Sequence, residues 1–319
     1  MEHFFCRQNI LLLLLFFVVS FLFVLFFSIS TSPLYDSLGY DSGIFMLVGK
    51  AIAAGRLLYV DIFDHKGPAF FFFEALMMKL GGVYVVFSFQ IINLTILLYL
   101  ISKIYGLFFT TKSFLFIPVA AILLYLTNTF GEGNLTEEYS VTLLLVCLYL
   151  GLRYSKSEKT QHPATYMFVY GVVFALLALT RMTNSAGLCG LVTAIGVYLL
   201  IEKEWRNVLY NILAFVLGII FVCLPFCVYF IYNDAFDEMI YATFTFNFKY
   251  ASTFSNSFVG SVKDLIYQIR IWSPNIFTIL SVIIYTYYSG KQKNVRLALI
   301  VICSSLFTAY ALNMGLRTE

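Results

Sequence analysis

Ile10-Leu-Leu-Leu-Leu-Leu-Phe-Phe-Val-Val-Ser-Phe-Leu-Phe-Val-Leu-Phe-Phe-Ser-Ile29 contains no charged residue from end to end. A helix of about 20 such residues matches the hydrocarbon thickness of a bilayer. Arg7 precedes the run. The run exceeds the roughly 7 to 15 residues of a signal-peptide core and ends without a small-residue cleavage pattern, so it reads as a retained anchor. A second run of the same kind, Val208 to Ile231, lies far downstream. The whole chain is 61% hydrophobic and 12% charged, against roughly 25% charged in an average soluble domain. A soluble core cannot hide that much apolar surface, so lipid is the expected solvent.

Apolar runs separated by polar gaps place spans near 10–30, 82–106, 113–130, 139–154, 164–180, 186–201, 208–232, 271–288 and 296–313. The expected fold class is therefore an all-α polytopic membrane protein of about nine transmembrane helices. Residues 1–319 read as one transmembrane domain, with no internal repeat and no low-complexity linker. With the N-terminus cytoplasmic, the inside loops hold Lys103 and Lys112, then Arg153, Lys156 and Lys159, then Lys203 and Arg206, then Lys291, Lys293 and Arg296. The outside gaps hold Asp36, Asp41, Asp61 and Asp64, then Glu132, Glu137 and Glu138, then Asp234, Asp237 and Glu238. That distribution obeys the positive-inside rule at every inside loop. Ala69 to Leu80 is too short to cross, and counting it as a span would invert the charge bias downstream; it reads as a re-entrant or interfacial helix. Pro225 is expected to kink its span or to be accommodated by neighbouring helices.

The net charge of +3 is dispersed among these loops, so the basic residues are topology signals, and no nucleic-acid partner is implied. The six cysteines lie in or beside spans, where they pack as small apolar groups. Cys223 and Cys227 share a helix face, but no His or acid stands at ligand spacing to complete a metal site. His3 and His162 fall in terminal or cytoplasmic segments and read as incidental. The chain has no P-loop, no dinucleotide-binding glycine pattern, no H-E-x-x-H and no G-x-S-x-G. Nucleotide-driven pumping and zinc or serine hydrolysis thus have no motif to rest on.

The outward loop 32–68 is the expected working surface. Ile44, Leu47, Val48, Ala51 and Ile52 recur at helical spacing between Asp41 and Gly55, as an amphipathic helix on the membrane surface would. The loop closes with Tyr59-Val-Asp-Ile-Phe-Asp-His-Lys-Gly-Pro68, a dense polar cluster where the chain returns to the membrane. Charge at that depth has either a function or a pinning partner, and a salt-bridged knot is the plainer reading. A lysine at the water–lipid boundary is also placed to grip a phosphate. Asn134-Leu-Thr136 is a glycosylation sequon.

The order Asp41, Gly55, Tyr59-x-Asp61, Asp64-His65-Lys66-Gly67-Pro68 resembles the first external loop of GT-C membrane glycosyltransferases. It is most similar to bacterial relatives of protein O-mannosyltransferases and the lipid A aminoarabinose transferase. The likeness covers about residues 30 to 80 and continues weakly through Asn134-Leu-Thr-Glu137-Glu138 and Phe246-Asn247-x-x-Tyr250. It implies transfer of a sugar from a polyprenyl-phosphate donor to a glycan, lipid or protein acceptor, at the outer face of a bacterial plasma membrane. A carboxylate must take the acceptor hydroxyl's proton, and Asp41 is the expected general base. A cation must stabilise charge developing on the departing phosphate; Lys66 is expected there, with His65 and Arg181 beside it.

Asp36 competes with Asp41 for the role of base, and otherwise is an ordinary loop aspartate. Asp61 and Asp64 either position Lys66 or bind acceptor hydroxyls. Glu137 and Glu138 complete the acidic site, assist a divalent cation or cap the following span. Arg181 stands on the outer side against the topology rule, as a phosphate ligand or as a snorkelling residue. The resemblance leaves metal dependence open and implies no other cofactor. Two other readings stand beside it, a flippase or transporter of lipid-linked saccharides and a polysaccharide polymerase or ligase. Relatives of this kind have more spans, so a chain ending at Gly315-Leu-Arg-Thr-Glu319 is expected to be C-terminally truncated.

Overall fold

The computed structural model describes residues 2–253 and 294–315. The expected span near 271–288, the part of the expected third outward loop beyond Thr253, and Lys291 and Lys293 lie outside the described residues. Regular structure among the described residues is helical: α1 Glu2–Phe27, α2 Asp41–Ala53, α3 Pro68–Leu80, α4 Val83–Phe108, α5 Phe116–Thr129, α6 Thr136–Ser155, α7 Ala164–Ala178, α8 Ala186–Ile201, α9 Trp205–Tyr232, α10 Phe236–Ile240, α11 Phe246–Thr253 and α12 Val295–Gly315. Extended pairing among them is limited to an isolated bridge between Leu58 and Ile62.

Four helical stretches are long and apolar enough to cross a membrane: Asn9–Phe27, Val83–Phe108, Met182–Ile201 and Trp205–Tyr232. The chain is therefore a helical membrane protein. Each expected span within the described residues coincides with a helix, but the apolar stretches Phe116–Thr127, Ala164–Ala178 and Val295–Phe307 are shorter. Helix α3, at 13 residues, is about 20 Å long at 1.5 Å per residue, well short of the roughly 30 Å hydrocarbon core. Pro225 sits inside α9, which continues through it to Tyr232.

The chain divides into two compact units, Met1–Phe63 with Ala69–Tyr149, and Asp64–Pro68 with Leu150–Glu319. In the first, α1 packs on α4 through Phe16, Phe23, Val24, Ile91, Leu94, Leu97 and Leu98. Leu11, Leu14, Leu15 and Val18 on the opposite side of α1 are exposed, as a lipid-facing surface requires. The end of α1 leaves carbonyls without helical partners. Ser32 donates its Oγ hydrogen to Leu25 O at 2.6 Å, and Tyr35 donates its hydroxyl to Phe26 O at 2.7 Å.

Helix α2 forms where the apolar spacing predicts, but its buried side carries Ser42, Phe45, Met46, Val48 and Gly49, with Ile44 and Leu47 exposed. The helix is apolar nearly all round, so periodicity alone does not select a face. Contacts to α3 select it: the Phe45 ring meets those of Phe70 and Phe71 at 5.0 and 6.2 Å.

In the second unit, glycines let helices approach closely, the usual device where lipid removes the hydrophobic drive between helices. A Cβ on Gly171 would lie 2.1 Å from Phe215 O, and one on Gly218 would lie 2.3 Å from Phe168 O, so α7 and α9 meet backbone to backbone. Gly190 does the same for α8 against α12, 2.4 Å from Cys303 O. His162 is not incidental. It is buried before α7, its Nδ1 pairs with Asn211 Oδ1 at 2.7 Å, and its backbone is held by Asn207. Burial lowers its ring to about 4, opposed by the Asn211 contact. Nearby, the Arg296 guanidinium donates to the carbonyls of Ser157 and Lys159 at 2.7 and 2.8 Å and lies over the Tyr154 and Tyr198 rings.

Candidate functional site

The first unit holds Asp36, Asp41, Asp61, Glu137 and Glu138. Asp41 is the first residue of α2 and is exposed. Its helix start is clamped from a distant part of the chain: Glu132 Oε2 accepts from Tyr40 N at 2.5 Å, and Oε1 accepts from Ser42 N at 2.6 Å. A carboxylate there satisfies N–H groups that the helix cannot and sits at the positive end of its dipole. Gly39 makes room for it, since a Cβ at that position would lie 2.6 Å from Glu132 Oε2. Asp36 is exposed. Asp61 is occupied locally: its Oδ2 accepts from Leu57 N at 2.7 Å and holds the turn in which Tyr59 adopts φ 71°.

Beneath the clamp lies a buried polar cluster. Gly133 and Asn134 both have positive φ, and a Cβ on Gly133 would strike Ser28 Oγ at 2.3 Å. Glu138 Oε2 accepts from Gln90 Nε2 and from Asn134 N, both at 2.9 Å, and Asn93 Nδ2 donates to Glu138 O at 3.2 Å. Ser28 and Thr31 donate to Gln90 Oε1, which fixes the orientation of that amide. The Tyr139 hydroxyl donates to Asn134 Oδ1 at 2.7 Å. Asn134 is fully buried, so the sequon is closed in the folded chain. Glu137 is exposed and accepts from the Thr136 hydroxyl at 2.8 Å.

Glu74 completes this cluster from α3. It is fully buried, and neither carboxyl oxygen has a hydrogen-bond partner; Glu138 Oε1 and Asn134 Nδ2 are in the same condition. Burial raises the Glu74 carboxyl to about 8; Asn134 opposes the rise, though without completing a hydrogen bond of sound geometry, and Glu138 adds to it. The contacts around it are tight. A Cβ on Gly49 would lie 2.7 Å from Glu74 Cβ, and Phe73, one residue before it, packs its ring 5.1 Å from that of Tyr139.

The second unit holds Asp64, His65, Lys66 and Arg181. Asp64 Oδ1 accepts from Lys66 N at 2.8 Å, a local turn that sets the lysine's backbone. Lys66 Nζ lies 3.1 Å from His65 Nε2. An ammonium has no acceptor, so the histidine nitrogen accepts, which places the ring hydrogen on Nδ1, 3.7 Å from Asp64 Oδ1. Asn247 donates to His65 O at 2.8 Å, and the His65 ring lies 5.8 Å from that of Phe246. Gly67 N donates to Thr180 O at 2.9 Å, while a Cβ on Gly67 would lie 2.0 Å from Leu179 O. The segment bearing Lys66 is thereby joined to the one bearing Arg181, whose own N–H donates to Leu177 O at 2.8 Å.

Asp64, His65, Lys66 and the Arg181 segment thus gather in one unit; in the other, Glu138 is held by Gln90 and Asn134, and Asp41 stands exposed beside backbone that Glu132 holds. Sequence reading passed over Glu132 as a site residue and did not single out Glu74. The signals were present, a glutamate between two glycines and a lone acid within an apolar run. Among the described residues no group of three His, Cys, Asp or Glu side chains is arranged to hold a metal ion. No family model, curated protein or solved structure matches the chain.

Proposed function

We propose that the protein is a GT-C-type glycosyltransferase of about nine spans in a bacterial plasma membrane, with its N-terminus cytoplasmic and its acidic loop outside. It moves a sugar from a polyprenyl-phosphate donor to a glycan, lipid or protein acceptor. The observation that best supports this reading is the Asp64–His65–Lys66 cluster tied through Gly67 to the segment of Arg181. Cations held by hydrogen bonds before the donor arrives stabilise a departing phosphate without reorganising at the moment of reaction. In this mechanism Asp41 accepts the acceptor hydroxyl's proton as its oxygen bonds to the anomeric carbon, and the carbon–oxygen bond to phosphate breaks with its electrons staying on the phosphate. Asp36 and Glu137 are exposed and are the acids proposed to meet acceptor hydroxyls, together with Asp61 and Asp64.

The test is incubation of the purified chain with a panel of polyprenyl-phosphate sugars. Carrier-dependent turnover is expected, together with its loss in Asp41→Asn at unchanged protein level. Absence of turnover across the panel overturns the reading. Full activity in Asp41→Asn removes Asp41 from the role of base. The buried Glu74 favours a second reading, a transporter of lipid-linked saccharides, because ionisable groups shielded from water are a feature of ion-coupled carriers.

A further inference from the structure

Among the described residues of the first unit, the buried polar atoms without a hydrogen-bond partner are the hydroxyls of Ser20, Ser42 and Thr142 and four atoms of the acidic cluster: both oxygens of Glu74, Oε1 of Glu138 and Nδ2 of Asn134. Three are acceptors when both acids are ionised, and a single donor faces them. Buried carboxylates left in that condition pay the full cost of desolvation. The two acids are not equivalent. Burial raises the Glu138 carboxyl to about 7, but the hydrogen bonds it accepts from Gln90 Nε2 and Asn134 N oppose the rise, whereas Glu74 accepts from nothing; Glu138 is therefore the acid that ionises first.

We propose that Glu74 is a proton-binding site: a carboxylic acid that keeps its proton after neighbouring Glu138 has ionised, and whose own deprotonation puts a second negative charge beneath the Gly131–Asn134 loop. One added proton corrects the imbalance. Protonated Glu74 carries an O–H donor of the kind that Glu138 Oε1 lacks, and presents one fewer buried acceptor without a donor. The surroundings provide no competing counter-charge. Glu138 and Tyr139 are the titratable groups facing Glu74 from α6, Asn134 and Gln90 are neutral, and Gly49 is its contact from α2. Lys50 on α2 and Lys79 on α3 are exposed, and among the described residues no cation lies within ion-pair distance of Glu74. The site is independent of whether the chain transfers or transports a saccharide.

The full chain in lipid nanodiscs, labelled with 13C-glutamate, tests this by infrared spectroscopy. A 13C-shifted carboxylic C=O band is expected at pH 7, lost by about pH 10 and absent in Glu74→Gln. If Glu74→Gln does not accumulate as folded protein, Glu74→Asp retains an acid and is expected to move the band out of the labelled set. Amide exchange reads the consequence. Protection of Gly133 and Asn134, corrected for intrinsic rates, is expected to fall about fivefold or more between those pH values in the wild type and to stay level in Glu74→Gln. Absence of a protonated glutamate band at neutral pH overturns the proposal, as does a band unaffected by both substitutions or a loop whose protection does not change with pH.

Discussion

Glu132 and Ser42 are separated by 90 positions in the chain, yet the Glu132 carboxylate accepts from Ser42 N at 2.6 Å and closes the first turn of α2. Because Asp41 lies between the two backbone groups that Glu132 holds, the clamp fixes the backbone of the candidate base while leaving its side chain exposed.

Glu132→Ala is expected to leave the protein folded but to free the start of α2. Two charge-assisted backbone hydrogen bonds at a helix N-terminus are worth about 1 to 3 kcal/mol together after allowance for exposure. Hydrogen exchange at Tyr40 to Gly43 is expected to speed up about 10- to 100-fold, measured by mass spectrometry. Under the transferase reading, kcat falls while donor KM changes little, since the donor phosphate is held elsewhere. Unchanged exchange at α2 removes the clamp from the account.

Gly67→Ala places a methyl group 2.0 Å from Leu179 O, and backbone cannot yield as a flexible side chain can. A cost of about 1 to 3 kcal/mol is expected from the enforced separation. The variant is expected to lose the Gly67 N to Thr180 O bond and to raise donor KM more than it lowers stability. Thermal unfolding in detergent and donor titration together measure the two effects. Wild-type KM in a folded Gly67→Ala protein separates this contact from donor binding.

His162 makes stability depend on pH. Its folded value of about 4 lies below the ordinary 6.5, so the folded ring stays neutral while the unfolded chain binds a proton. Its contribution is complete above pH 6.5 and is lost as pH falls toward 4, to a total of at most about 3 kcal/mol. Buried Glu74 acts with the opposite sign over the same range, so the comparison is between wild type and His162→Gln. The wild-type denaturation midpoint is expected to fall relative to that of His162→Gln between pH 7 and 5. A difference that stays level or shifts the other way on acidification contradicts the buried neutral assignment.

The helices were legible in residues 10–29 and 208–231 because spanning lipid demands long apolar runs, and that constraint acts on each segment by itself. The shortness of α3 was legible for the same reason. The face of α2 was not. Its apolar residues surround the axis, and aromatic contacts from α3 choose among them. At the candidate site, Asp64, His65 and Lys66 were legible because they are neighbours in the chain. Glu132 was not, since its partners lie 90 and 92 positions away.

Sequence alone determined that this chain is a helical membrane protein and that a dense polar cluster, Tyr59 to Pro68, stands directly before the short apolar run that becomes α3. Those features follow from composition and order, which need no packing. Tertiary structure decided which charges have partners. It gave Glu132 the start of α2, gave His162 a buried amide, and left Glu74 fully enclosed with no hydrogen-bond partner. The reason is physical. An ionisable group's chemistry is set by the water it loses and the dipoles it gains, and both depend on residues distant in the chain.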